Sequence, residues 1–237
     1  MQRDHLGELP PEGFEDPRAT LHWVHETYGN TAGLSCSFGG PGGLVLAHMA
    51  YSEGLDIPIL FVDTDFLFPE TYELKERLER EWGLQIKEAR SPLTPEEQAE
   101  RFGDRLWSTD PDRCCQLRKV DPMAQLLEEV DCWVTALRRD QSPSRANVKR
   151  FEVHVTEAGT TILKVNPLVD WTRSDVWSYI VEHNVPYNPL LDIGYASLGC
   201  THCTAKTIGD DERSGRWQGK AKTECGLHTF TQRQTWL

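Results

Sequence analysis

Thr31-Ala-Gly-Leu-Ser-Cys-Ser-Phe-Gly-Gly-Pro-Gly-Gly43 is the stretch that decides the fold. A short apolar run, Thr31 to Cys36, enters a glycine-rich turn, and an apolar segment from Leu44 to Glu53 follows before Gly54 interrupts it. Strand, loop and helix in that order read as the first unit of an α/β sheet. Small residues in such a loop let backbone N–H groups and hydroxyls approach an anion at the helix N-terminus. The stretch matches neither of the usual phosphate-loop fingerprints, so an ordinary tight strand–helix turn is the competing reading.

The pattern continues outward from there. Ile57–Val62 is a buried strand by length and β-branching, ending in Asp63-Thr-Asp65, and Leu84–Ala89 is a third, half-buried strand. Between them Pro69 suits a first helical position and Gly83 closes the helix. Thr94-Pro-Glu-Glu starts another helix, and Asp121-Pro122 is expected to open one reaching about Glu129. Cys132–Ala136 and Thr161–Val165 are further strands, and Thr172-Arg-Ser-Asp175 is a capping box for a helix ending near His183. Strands alternating with helices imply a doubly wound, mostly parallel sheet with ligands at the carboxyl ends of its strands. From Pro186 onward Gly, Pro and Cys punctuate the chain too often for a long element. Residues 1–185 are therefore expected to form one α/β domain, with 186–237 an irregular segment packed on it.

The chain of 237 residues is 38% hydrophobic, enough for one substantial core. It lacks an apolar run long enough to span a bilayer, and its first residues lack a signal-peptide core, so a cytoplasmic protein is expected. A formal net charge of −12 argues against a nucleic-acid surface. The charge is uneven: residues 1–112 carry 9 Lys/Arg against 22 Asp/Glu, residues 113–237 carry 16 against 15. Basic residues gather at Arg138–Arg150 and Arg213–Lys222, which suits a small anion handled there, although a solvated charged face would look the same.

Seven cysteines in a reducing compartment read as ligands or nucleophiles rather than staples. Cys114 and Cys115 are adjacent, and Cys200 and Cys203 form a CxxC. Four thiolates in two tight pairs can hold zinc or an iron–sulfur cluster. Adjacent cysteines must lie on a helix or turn to share one site. A [4Fe–4S] cube spreads its ligands over separate irons, and is preferred over zinc or a vicinal disulfide. Lys119 would then stand about one helical turn beyond Cys115. Cys225, in Thr223-Glu-Cys-Gly-Leu-His228, is the candidate nucleophile, since nearby cations favour a thiolate. Arg138 and Arg145, on the loop after the fourth strand, suit bidentate recognition of phosphate or sulfate, with a structural ion pair the alternative for Arg138 or Arg139. Asp63 and Asp65 could bind a ribose or a metal, or simply structure their turn.

Together, Asp63-Thr-Asp-Phe-Leu-Phe-Pro-Glu-Thr-Tyr72, the Cys-Cys-x-x-Arg-Lys-Val-x-Pro-Met run at 114–123, Leu137-Arg-Arg-Asp-Gln-Ser142, Tyr195-Ala-Ser-Leu-Gly-Cys-Thr-His-Cys-Thr204 and Lys222–His228 resemble the adenylyl-sulfate and phosphoadenylyl-sulfate reductases. The resemblance runs from about Thr31 to His228. It implies an adenine-nucleotide α-hydrolase-like, Rossmann-related fold. It further implies that Cys225 attacks the sulfur of adenylyl sulfate, releasing AMP and leaving a cysteine S-sulfonate from which thioredoxin or glutaredoxin frees sulfite. Both cysteine pairs imply a [4Fe–4S] cluster and the adenylyl-sulfate branch. Lys119 is implied between cluster and substrate, and Arg213, Arg216 and His228 at the sulfate. Ser35, Ser37, Phe38, Gly39, Gly40 and Arg145 are implied at the nucleotide. Gly39-Gly-Pro-Gly-Gly43 and Ala136 depart from the sequences common in iron–sulfur members, which keeps phosphoadenylyl sulfate as the alternative substrate. An ATP-pyrophosphatase and a non-catalytic metal-binding regulator are remoter alternatives. A homo-oligomer is left open.

Overall fold

The computed structural model describes residues 14–156, 158–209, 211–220 and 222–228. Residues 1–13, on which the expected absence of a signal peptide rests, and residues 229–237 at the end of the expected C-terminal segment lie outside these. Six strands form one sheet: β1 (Ala32–Ser35), β2 (Ile59–Asp63), β3 (Ile86–Arg90), β4 (Cys132–Val134), β5 (Phe151–Val155) and β6 (Thr161–Val165), in the order β3-β2-β1-β4-β6-β5. All neighbours are parallel except β5, which returns antiparallel on β6. The mostly parallel α/β fold is as expected; β5 was not anticipated. Its sequence, Phe-Glu-Val-His-Val, alternates, but the flanking Arg145–Arg150 run reads as a charged loop.

Period-two alternation sorts each strand between two apolar layers. Leu34, Ile59, Phe61, Cys132, Val134, Leu163 and Val165 join the larger core. On that face pack α1 (Pro17–Tyr28), α2 (Pro41–Ser52), α3 (Pro69–Trp82) and α8 (Arg173–His183). Leu60, Trp133 and Ile162 point the other way, onto Met123, Leu126 and Leu127 of α7 (Asp121–Leu127). Gly33 is required on this thinner face, where a Cβ would overlap the Leu60 side chain.

Local signals explain most boundaries. Asp16 caps α1 through the Arg18 N–H, an element the sequence reading passed over. Thr94 with Glu97, and Thr172 with Asp175, form reciprocal capping boxes on α4 (Pro95–Phe102) and α8. Gly83 ends α3 in the left-handed region at φ 65°. α7 begins at Asp121-Pro122 as expected and ends at Leu127, but no loop precedes it. Instead α5 (Leu106–Thr109) is followed by α6 (Pro111–Cys115), which runs through a π-helical turn at Gln116–Val120 into α7 without a break. Proline is tolerated there because the widened turn relaxes the hydrogen-bond register.

Among the described residues no helix is long and apolar enough to cross a membrane.

Candidate active site

Strand order reverses between β1 and β4, and the crevice at their carboxyl ends is where an open α/β sheet binds ligands. A cleft of about 260 Å³ lies there. Its floor is the loop after β1: Ser35, Ser37, Gly39 and Gly40 line it, and α2 begins inside the glycine stretch with no side-chain cap. First-turn N–H groups of α2 are thereby left for an anion. Ser35 Oγ donates to the Val134 carbonyl 3.1 Å away, tying β1 to β4 beneath the cleft. Phe38 is different: fully buried at φ 52°, it sits edge-on to Phe61 and serves the core while its backbone turns the loop. Gly42 and Ala136 touch across the cleft wall, since a Cβ on Gly42 would stand 3.2 Å from that of Ala136. The two departures from the family sequence are thus neighbours.

The opposite wall comes from the C-terminal segment. Arg213, Arg216, Trp217, Glu224, Cys225, Leu227 and His228 all line the cleft. Leu227 packs against the smaller core and His228 stacks on Trp133, ring centroids 5.5 Å apart, so the residues after Cys225 are anchored in the α/β layer. Burial, with Lys164 and Arg145 nearby, drives His228 well below its ordinary pKa; it is a neutral imidazole here, not a cation. Gly226 takes φ 91° and lies against Val120, so its lack of a Cβ sets the bend beside the thiol.

The cleft's cations fall into two groups. Arg138 is buried, donating to Asp140 at 2.8 Å and reaching Glu212 at 3.5 Å. Arg139 turns away to Asp170 and the Val148 carbonyl, so the structural ion pair left open by the sequence falls to both arginines. Arg145 and Arg213 converge on Glu224. Lys119 and Arg216 have no carboxylate partner among the described residues. Arg216 lies over Gly199 and 4.5 Å from the Trp217 ring centroid, with Nε reaching the Cys203 carbonyl at 3.4 Å. Lys119 is half-buried on the π-helical turn. Burial works against its ammonium, yet Cys200, Cys225 and Cys115 hold its pKa above the ordinary value.

Lys119 also lines a second, smaller cavity, whose wall includes Cys114, Cys115, Cys200 and Cys203. The last two residues of α6 are the adjacent cysteines, just ahead of the π-helical turn, and the CxxC spans a 3₁₀ turn held by the Thr201 N–H on the Phe66 carbonyl at 2.8 Å. All four thiols are unbridged. Cys200 Sγ is 3.3 Å from Thr64 Oγ1. Burial and neighbouring sulfurs push Cys114 up to about 12; burial pushes Cys115 to about 11, opposed by Lys119. Such thiols ionise at neutral pH only when a metal takes the place of the proton. Among the described residues no three His, Cys, Asp or Glu side chains stand where one metal ion would join them. Arg118, on the same wall, is buried with Nε on Gln98 and Nη1 on Asp65, while Nη2 has no hydrogen-bond partner. Trp107 stacks on His202 at 3.9 Å over this cavity.

Asp63 and Asp65 are engaged by structure. Asp63 receives the Tyr72 hydroxyl at 2.7 Å and pairs with Arg90; Asp65, at φ 58°, pairs with Arg118. Three contributors went unremarked in the sequence: Arg118, Trp217 and Glu224. Arg118 and Glu224 stood inside quoted motifs, but only the fold reveals what they face.

A nucleotide-sized cleft at the switch point of a parallel sheet, with a thiol and unpaired cations on its wall, defines a nucleotide-binding α/β protein equipped for thiol chemistry. The chain belongs to the phosphoadenosine phosphosulfate reductase domain family, which matches residues 31–206. It is 48% identical over 219 residues to the adenosine 5′-phosphosulfate reductase of Shouchella clausii, covering 89% of this chain and 87% of that one. Against adenosine 5′-phosphosulfate reductase 1 of Bacillus subtilis it is 45% identical, covering 91% of each. The phosphate complex of phosphoadenylyl-sulfate reductase from Candida auris superposes with a TM-score of 0.68 at 30% identity, covering 84% of this chain and 98% of that one. FMN adenylyltransferase of Candida glabrata shares the fold alone, with a TM-score of 0.57 at 19% identity, covering 81% and 62%.

Proposed function

We propose that this chain is a cytoplasmic adenylyl-sulfate reductase of assimilatory sulfate reduction, which supplies sulfite for cysteine biosynthesis. The observation that carries the reading is that Cys225, Lys119 and Arg216 share one cleft with the Ser35–Gly43 loop. The relatives named above support adenylyl sulfate as substrate. Phosphoadenylyl sulfate is the alternative, and the Gly42–Ala136 contact is where the choice between them would be felt.

In this reading the nucleotide lies against the loop and the N-terminus of α2, with its sulfate toward Cys225. The Cys225 thiolate attacks sulfur, forming an S–S bond as the bond to the bridging oxygen breaks. AMP leaves with that electron pair, and Cys225 is left as an S-sulfonate. Charge gathers on the departing phosphate, where Lys119 and Arg216 are free to answer it. A thiolate of thioredoxin or glutaredoxin then attacks Cys225 Sγ, releasing sulfite and forming a mixed disulfide that the partner's second thiol resolves.

Cys114, Cys115, Cys200 and Cys203 would hold a [4Fe–4S] cluster. The donor set suits it: four thiols around one cavity, one for each iron, beside a buried guanidinium nitrogen without a partner. When bound, the cluster would supply a fixed charge that orients Lys119, the electrons for reduction coming from thiols. Residues 1–185 would form the nucleotide-binding part, with 186–237 the appended segment that carries the CxxC and the reactive thiol.

The test is anaerobic purification, iron and sulfide analysis, then sulfite release from each nucleotide with thioredoxin. About four irons per chain and turnover of adenylyl sulfate are expected. The Cys225→Ser variant should keep its iron, lose sulfite release by about three orders of magnitude or more, and fail to gain the mass of one SO₃ group. Zinc in place of iron, or an active Cys225→Ser variant, would overturn the reading.

A further inference from the structure

The residue before the reactive cysteine is already bound where a substrate anion would be. Arg145 grips Glu224 with two parallel bonds, Nε to Oε1 and Nη2 to Oε2, both 3.0 Å. Arg213 Nη2 donates to the same Oε2 at 3.1 Å and to the Thr223 carbonyl at 2.7 Å. Ser144 Oγ donates to Oε1 at 3.2 Å, and Ser142 Oγ stands 3.5 Å from it. Two guanidinium groups and two hydroxyls converging on one carboxylate are the donor set of a phosphate or sulfate site. All three charged side chains are mostly buried, at 12, 13 and 16% exposure for Arg145, Glu224 and Arg213. Arg145, Arg213 and Glu224 all line the nucleotide cleft.

We propose that Glu224 is an internal stand-in for an oxyanion of the nucleotide, and that the substrate's own oxyanion displaces it from Arg145 and Arg213. The inference deepens the function proposed above and rests on it. Two effects follow from the placement. A cationic pocket filled by a carboxylate does not hold stray phosphate or sulfate tightly, so weak anions are rejected. The carboxylate is joined directly to Cys225, so leaving its site also frees the thiol-bearing turn to adjust to the sulfate. The tail's other ties lie elsewhere, Lys222 on Asp112 and Lys220 on the Ser108 carbonyl, and survive the exchange. Glu224 is thus a positioning residue: it meets the arginines, not the reacting sulfur.

The sign of one affinity change decides the matter. AMP binding is measured by calorimetry on anaerobically purified wild type and on Glu224→Gln. A displaced stand-in competes with AMP, so its neutral replacement should bind AMP about tenfold more tightly, while proteolysis between residues 211 and 228 becomes faster without nucleotide. A carboxylate that stays in place and orients the arginines for the ligand would give the opposite, and AMP binding equal to or weaker than wild type overturns the proposal. Glu224→Asp, which keeps the charge but shortens the reach, is read the same way should the first variant fold poorly: tighter AMP supports displacement, unchanged or weaker AMP overturns it. Wild type that binds no AMP at all would sink the nucleotide cleft together with the inference.

Discussion

Two cavities share Lys119 and treat charge in opposite ways. In the cleft, the half-buried Arg145 and Arg213 are supplied with a carboxylate from the chain itself. In the cysteine cavity, Arg118 keeps one nitrogen without a hydrogen-bond partner, and Lys119 shares the wall with four thiols and no carboxylate. A buried unsatisfied donor is disfavoured by about 1 to 3 kcal/mol, so a chain retains one only where something else meets it. The contrast fits a transient anion on one side, for which an internal substitute is useful, and a resident one on the other, for which none is needed. Lys119 is the wall between them. The π-helical turn explains how it can be: the wider register carries it past both the cysteine pair and the cleft.

The cysteine side can be broken most directly at Arg118. Replacing it by Met leaves Asp65 with only a distant Arg90 at 3.8 Å and Gln98 with an empty acceptor. Removing one partner of a buried pair costs about 3 kcal/mol; Asp65 is 23% exposed, so the lower part of the range applies. Urea unfolding of the iron-loaded and the chelator-stripped protein would then separate two roles. If Arg118 answers a bound anionic centre, the loss is greater in the loaded protein. Equal losses would make Arg118 a structural ion pair and remove the contrast between the cavities.

Much of this was legible beforehand. Strand–loop–helix from Thr31 to Glu53, the capping boxes at Thr94 and Thr172, and the breaks at Gly83 and Pro186 follow from local chemistry, and sheet type follows from their alternation. Strand order does not, because it depends on which apolar faces meet. The cleft thiol Cys225 and the four thiols around the second cavity could be named because cysteine chemistry is tied to residue type and spacing. The pairing of the arginines could not. Arg145 and Glu224 lie 79 residues apart, and nothing local tells a ligand-facing guanidinium from one already held. His228 shows the same gap: its place near the thiol does not reveal that burial beside Trp133, with Lys164 and Arg145 nearby, keeps its imidazole neutral.

Two glycines of the C-terminal segment sharpen the cleft side. A Cβ on Gly215 would overlap the Ala205 carbonyl, its partner across the Thr204–Arg216 bridge, and backbone cannot retreat. Gly215→Ala should therefore cost about 2 kcal/mol of stability, read by urea unfolding. A Cβ on Gly199 would run first into the guanidinium end of Arg216, the far end of a flexible side chain that can swing aside. Gly199→Ala should change stability by less than about 0.5 kcal/mol. Sulfite release should nevertheless fall about tenfold, because a displaced Arg216 no longer answers the departing phosphate. Full activity in Gly199→Ala would mean that the pose of Arg216 over Gly199 is not the working one, and that Lys119 alone serves the leaving group.

The smallest effect tests the floor beneath the cleft. His154 is 1% exposed, its ring 5.2 Å from that of Trp133, the same indole on which His228 stacks. Burial, with the Lys164 charge adding to it, pushes His154 down to about 3. Above about pH 6.5 neither the folded nor the unfolded state protonates this histidine, so it adds no pH dependence. Below that the unfolded chain takes a proton that the folded chain refuses, and stability falls as pH drops toward 3. The slope from one such group approaches 1.4 kcal/mol per pH unit. Carboxylates held low by arginines, Glu224 among them, contribute in the same direction only nearer their unfolded value of about 4.5. Between pH 6.5 and 5.5 the loss therefore belongs to histidines. His154→Gln, compared with wild type by urea unfolding across that interval, should lose about 1 kcal/mol less. Parallel pH profiles would mean that His154 takes up its proton in the folded state, and that the layer under Trp133 tolerates charge as the cleft above it does.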